Sequence, residues 1–137
     1  MRKSGITETM IRQSKEIWGL LEPGEFVPEP GDWIVNQSHG PEIALDIQGD
    51  DIRTWSTGWL EEDRVKISKP GVFPIFSFTH CLDLLRKRGL FYSIRHLHGD
   101  LVRMKALLPG DKVLNAIGIN YHEAAQAVLL KVLKGES

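Results

Sequence analysis

The stretch Leu90-Phe91-Tyr92-Ser93-Ile94-Arg95-His96-Leu97-His98-Gly99-Asp100-Leu101-Val102-Arg103-Met104-Lys105-Ala106-Leu107 sets two apolar-rich runs around one turn signal, His98-Gly99-Asp100. A three-residue loop pairs Leu97 with Leu101. Tyr92, Ile94, Val102, Met104 and Ala106 then share one face of an antiparallel hairpin, and Ser93, Arg95, Arg103 and Lys105 share the other. A two-residue loop would instead place Ile94 beside Lys105, so burial selects the three-residue register. The hairpin is expected to have one face for a core and one cationic face for something else.

The flanking sequence completes a unit. Upstream, Ser77 is placed to cap a helix whose Phe78, Cys81, Leu82 and Leu85 fall at i, i+3, i+4 and i+7, with Gly89 as its stop. Arg86, Lys87 and Arg88 occupy its last turn, where cations meet the negative end of the helix dipole. Downstream, Pro109-Gly110-Asp111 turns the chain into a third strand, Val113 to Ile117, ended by Gly118. Asn120 and Glu123 have capping-box spacing, and Ala124, Ala125, Val128, Val132 and Leu133 form an apolar stripe up to Gly135. The expected order from Ser77 is helix, three strands, helix.

The N-terminal half is expected to hold one helix and a small antiparallel meander. Thr7 caps the helix, Met10, Ile11, Ile17, Trp18 and Leu21 give it helical spacing, and Pro23 and Gly24 end it. Strands are expected at Trp33 to Asn36, through Ile43, Leu45 and Ile47, from Ile52 to Ser56, and at Val65 and Ile67, with a reversal at Gly49-Asp50. The fold class is therefore α+β, with small antiparallel sheets and packed helices. Residues 1–68 form the helix-plus-meander half, 69–76 a Pro/Gly connector and 77–137 the αβββα half, with one continuous domain as the alternative.

The 137 residues carry a net charge of -1, but the halves differ. Residues 1–68 hold 7 Lys/Arg against 13 Asp/Glu, and residues 69–137 hold 10 against 5, so the balances are -6 and +5. All four tryptophans lie in the acidic half. Such a split points to halves that attract each other, within one chain or across a dimer, or to a nucleic-acid face. The single Cys81, with no apolar signal segment near Met1, points to a reducing cytoplasm, and no apolar run reaches membrane-spanning length.

Candidate chemistry is sparse. His96, His98 and Asp100 sit close in sequence at a strand end, but two imidazoles and one carboxylate fall short of the usual metal-ligand set, and no CxxC or HExxH pattern occurs. The plainer account makes His96 a strand-end residue and His98 a turn residue. Cys81 lies in a first helical turn, where a thiol is activated, yet its spacing turns it inward with Phe78, Leu82 and Leu85. No nucleophile elbow or phosphate loop is present. The acids Asp46, Asp50 and Asp51 read as hairpin residues, and Glu61-Glu62-Asp63 as solvated surface. No catalytic residue, metal ligand or cofactor is assigned. Trp55 and Trp59 are candidate interface anchors. Arg95, Arg103 and Lys105, with Arg86, Lys87 and Arg88, form the candidate docking or nucleic-acid face.

In element order the C-terminal half resembles the double-stranded-RNA-binding domain. That resemblance implies a lysine cluster at the start of the last helix, where this chain has Asn120-Tyr121-His122-Glu123, so it extends to topology and not to the RNA surface. Glu16-Ile17-Trp18, the Gly31-Asp32-Trp33 strand entry, a mid-chain proline before a Leu-rich helix, and His122-Glu123-Ala124-Ala125 resemble small bacteriophage and prophage proteins, including the phage alpha-beta-alpha sandwich proteins. The resemblance implies a cytoplasmic, oligomeric accessory protein and supplies no catalytic residues. The expected role is a non-enzymatic interaction protein with a protein partner or a second copy. The alternatives are a nucleic-acid-binding module using the basic half and a small metal-dependent enzyme at His96, His98 and Asp100.

Overall fold

A computed structural model describes residues 5–36, 40–55 and 64–135. The chain divides into two compact units, one of Met1–Ile6 and Leu21–Ile75 and one of Thr7–Leu20 and Phe76–Ser137. The described part is mixed α+β, with three helices and three antiparallel sheets of three strands each. Among the described residues no helix is long and apolar enough to cross a membrane.

The first unit contains two sheets. In one, β1 (Trp33–Asn36) lies between β2 (Gly40–Ile43) and β6 (Val72–Pro74); in the other, β4 (Asp51–Arg53) lies between β3 (Asp46–Gln48) and β5 (Val65–Lys66). Ile34, Ala44, Ile52 and Val72 form its buried cluster, with Ile47, Val65 and Ile67 packed against it. The single strand expected through Ile43, Leu45 and Ile47 is broken here. The Ala44 N–H donates to the Asp32 carbonyl, whereas the Leu45 N–H donates to that of Arg53, so the chain changes sheets between these two residues. Alternation of apolar residues survives such a change and cannot report it. The expected 69–76 connector also contains β6, whose three residues are all buried against β1. Its Pro74 is tolerated because β6 is an edge strand, where a proline nitrogen can face away from the ladder.

The second unit is built on the sheet β7 (Phe91–His96), β8 (Val102–Leu108) and β9 (Lys112–Gly118), with β8 central. The β7/β8 register pairs Tyr92 with Ala106 and Ile94 with Met104, and the Leu97 N–H donates to the Leu101 carbonyl, as the three-residue loop requires. Helix α3 (Tyr121–Leu133) lies on β8 and β9, and α1 (Glu8–Leu20) and α2 (Phe78–Lys87) pack against α3. Thus α1, expected with the meander, is part of the second unit.

Polar bonds hold α1 there. The Gln126 amide is fully buried and donates to Ser14 Oγ at 3.0 Å and to the Phe76 carbonyl at 2.7 Å; Ser14 Oγ also accepts from the Phe76 N–H at 3.1 Å. At the start of α1, Thr7 Oγ1 accepts from the Met10 N–H and donates to Glu123 Oε2 at 2.6 Å. This corrects the expected capping box on α3. Asn120 does accept from the Glu123 N–H, but the Glu123 carboxylate is directed to Thr7 on a neighbouring helix. Glu16 and Lys134 add an ion pair of 2.9 Å.

Gly118 fixes how closely β9 approaches α3. A Cβ at this position would lie 2.5 Å from the Ala124 nitrogen and 2.9 Å from the Glu123 Cβ. Only a residue without a side chain lets the strand end directly beneath the first turn of the helix.

Candidate functional site

The pleat of the β7–β8–β9 sheet sends alternate residues to opposite faces. Val102, Met104, Ala106 and Leu114 go to the helical side and are buried. The other face carries three cross-strand rows. The first is Phe91, Leu107 and Val113, exposed to 75%, 47% and 45%. The second is Ser93, Lys105 and Asn115. The third is Arg95, Arg103 and Ile117, the last 49% exposed. One end of this face is therefore apolar, and the other joins Arg95 and Arg103 with Ile117, over the roughly 13 Å that separate residues 91 and 95 along a strand, with Lys105 between.

Arg95 and Arg103 are direct cross-strand partners. Like charges at such a pair destabilise a sheet. Among the described residues, neither arginine nor Lys105 forms an ion pair. The second unit as a whole has 11 Lys/Arg against 7 Asp/Glu, a balance of +4; the first has 6 against 11, or -5. Regrouping α1 therefore leaves the charge split nearly intact.

Beside Phe91, at the apolar end of the face, a cleft of about 370 Å³ is lined by Arg86, Gly89, Leu90, Phe91 and Tyr92. Arg86 is 3.4 Å from Asp83, one turn back on α2, with both side chains more than half exposed. Such a pair holds its partners weakly. Lys87 ends α2 exposed, and Arg88 is its C-cap. Of the six predicted cations, the fold thus gathers Arg95, Arg103 and Lys105 on one face and sets Arg86 at its edge, while Lys87 and Arg88 belong to the helix end.

Of the predicted aromatics, Trp55 belongs to the first unit. Trp55 is 82% exposed and borders an open groove of about 410 Å³ with Trp33, Pro41, Glu42 and Ile43. Trp59 and the Glu61-Glu62-Asp63 run lie outside the described residues.

His96 ends β7, and its Nε2 is hydrogen-bonded to the Tyr121 hydroxyl, with the two rings edge to face. His98 and Asp100 are in the turn that follows. Among the described residues no group of three or more His, Cys, Asp or Glu side chains is placed to hold a metal ion. Cys81 is fully buried, and burial pushes its thiol far above the usual range, so it is no thiolate nucleophile near neutral pH.

Two histidines have roles that spacing did not reveal. The Ser77 N–H donates to His80 Nδ1 at 3.2 Å, completing a capping box in which Ser77 Oγ accepts from the His80 N–H. The Phe78 N–H donates to His122 Nδ1 at 2.8 Å. Two of the free donors at the start of α2 are thus satisfied by imidazole nitrogens. Burial, and then the neighbouring His80, lower the His122 pKa. A Ser-x-x-His box is legible in sequence once His is admitted beside Glu and Gln at the third position; the His122 bond spans 44 residues and is not.

Compared with protein-family models, with curated proteins and with solved structures, the chain matches none.

Proposed function

We propose that the chain is a non-enzymatic binding protein, of the accessory kind that phages and prophages encode, whose working surface is the open face of the β7–β8–β9 sheet. What carries the reading is Arg95 directly opposite Arg103, with Lys105 beside them, on a face that also exposes Phe91, Leu107, Val113 and Ile117. Folding does not favour the like-charged pair. Two opposed guanidinium groups cost stability, and an anionic partner that also covers the neighbouring apolar side chains accounts for their being kept together.

Chemical denaturation tests whether the chain itself leaves these cations unneutralised. Arg95→Thr removes the repulsion and puts a good strand former in its place, so stability rises by about 0.2–1 kcal/mol. The wild-type protein gains stability with added salt, and the variant gains less. A loss of stability in Arg95→Thr would mean that the arginine serves the fold, and the reading fails.

A further inference from the structure

We infer that the partner of the open sheet face is single-stranded nucleic acid, bound with its phosphates along Arg95, Arg103 and Lys105 and one unpaired base at Phe91. This rests on the reading of the face as a binding surface.

The geometry separates two functions along the face. Arg103 and Lys105 lie two residues apart on β8, and Arg95 lies across from Arg103 on β7. They make a cluster of cations spaced by one strand gap, about 5 Å, and by one pleat repeat, about 7 Å. An extended strand brings a repeating series of negative charges to such a cluster, whereas a carboxylate or two on a folded protein would satisfy only part of it. At the other end, Phe91 presents its ring to solvent at the edge of the 370 Å³ cleft, with Arg86 and Tyr92 in the same lining. An exposed ring beside a weakly held guanidinium is a stacking place for a planar base. Leu107 and Val113 continue the Phe91 row and offer apolar contact to the sugar.

The strand has to be single. Stacking on Phe91 requires an open base face, which a duplex hides within its own stack. The start of α3, with Asn120-Tyr121-His122-Glu123, adds no lysine for a duplex backbone, and Glu123 there is buried and bonded to Thr7. A second copy face to face would set the arginines against their own kind or against the apolar Phe91 row, and neither pairing neutralises them. An acidic protein answers the charge but leaves the Phe91 cleft unexplained.

Fluorescence anisotropy of labelled U12, dT12 and a 12-base-pair duplex with the full chain tests the inference. The single strands bind more tightly than the duplex. With about three phosphates neutralised, log K falls with log salt at a slope of about -2, and Arg95→Ala with Arg103→Ala brings it to about -0.7. Phe91→Ala weakens binding roughly tenfold and Phe91→Trp restores it; unchanged circular dichroism checks that these exposed-site variants fold. Equal binding of duplex and single strand, or binding indifferent to these substitutions, overturns the inference. So does the absence of binding to all three probes, and sedimentation then distinguishes the two levels. Self-association that Arg95→Glu with Arg103→Glu abolishes leaves the binding-face reading standing with a protein partner. A chain that neither binds nor self-associates, and that loses stability in Arg95→Thr, removes both.

Discussion

The two faces of the β7–β8–β9 sheet are written by the same three strands and obey different rules. Towards α3, Val102, Met104, Ala106 and Leu114 are buried, and Gly118 lets the helix close on the strand end. On the opposite side stand opposed arginines and four exposed apolar side chains. The inner face is what a sheet needs to fold. The outer face keeps a like-charged pair that folding alone does not favour, and that contrast marks it as the candidate surface.

Substitutions on the inner side should therefore cost stability, and those on the outer side should cost binding only. The largest loss is expected on the helical side. Gln126→Ala removes the amide that donates to the Phe76 carbonyl and to Ser14 Oγ, which keeps only the Phe76 N–H, and opens a cavity, for about 3–4 kcal/mol in chemical denaturation. Gly118→Ala drives a methyl group into the Ala124 backbone and costs about 2–3 kcal/mol by the same measurement. A near-neutral result for either would mean that the inner face is looser than its contacts imply.

A pH effect belongs to the same side. His122 is held neutral with Nδ1 accepting from Phe78, and its folded pKa is lowered. The unfolded chain therefore takes up the proton first as pH falls through about 6.5, so stability present above that value is lost as the pH descends towards the folded pKa. The melting temperature should fall between pH 7 and pH 5. His122→Asn, which keeps an acceptor that does not titrate, should flatten that dependence.

On the outer face the expected effects on folding are smallest. Phe91→Ala and Ile117→Thr should change stability by no more than about 0.5 kcal/mol. If either matched the inner-face losses, the face would be part of the core and not a binding surface.

The hairpin that carries this contrast was legible in the sequence because the turn signal limited the loop length and burial on one face rejected the two-residue loop. So were the capped start of α2, its glycine stop and the cation row, each set by local spacing. What spacing could not reveal depends on distant partners. Ala44 and Leu45 choose different sheets, β6 finds β1, and Thr7 draws the Glu123 carboxylate away from its own helix end. The tie of α1 to α3 rests on Ser14 and Gln126, two polar residues whose burial no hydrophobic pattern announces. The candidate face was half legible. Its cations followed from the register, whereas the alignment of Phe91 with Leu107 and Val113 required the third strand, whose register no turn signal fixed as firmly.

The most direct measurement is an amide chemical-shift titration of the ¹⁵N-labelled chain with U12. Perturbations should concentrate at Phe91, Ser93, Arg103, Lys105, Asn115 and Ile117, and α3 should stay quiet. Shifts centred on α1 or α3, or none at saturating oligonucleotide, would contradict the assignment of the open face to single-stranded nucleic acid.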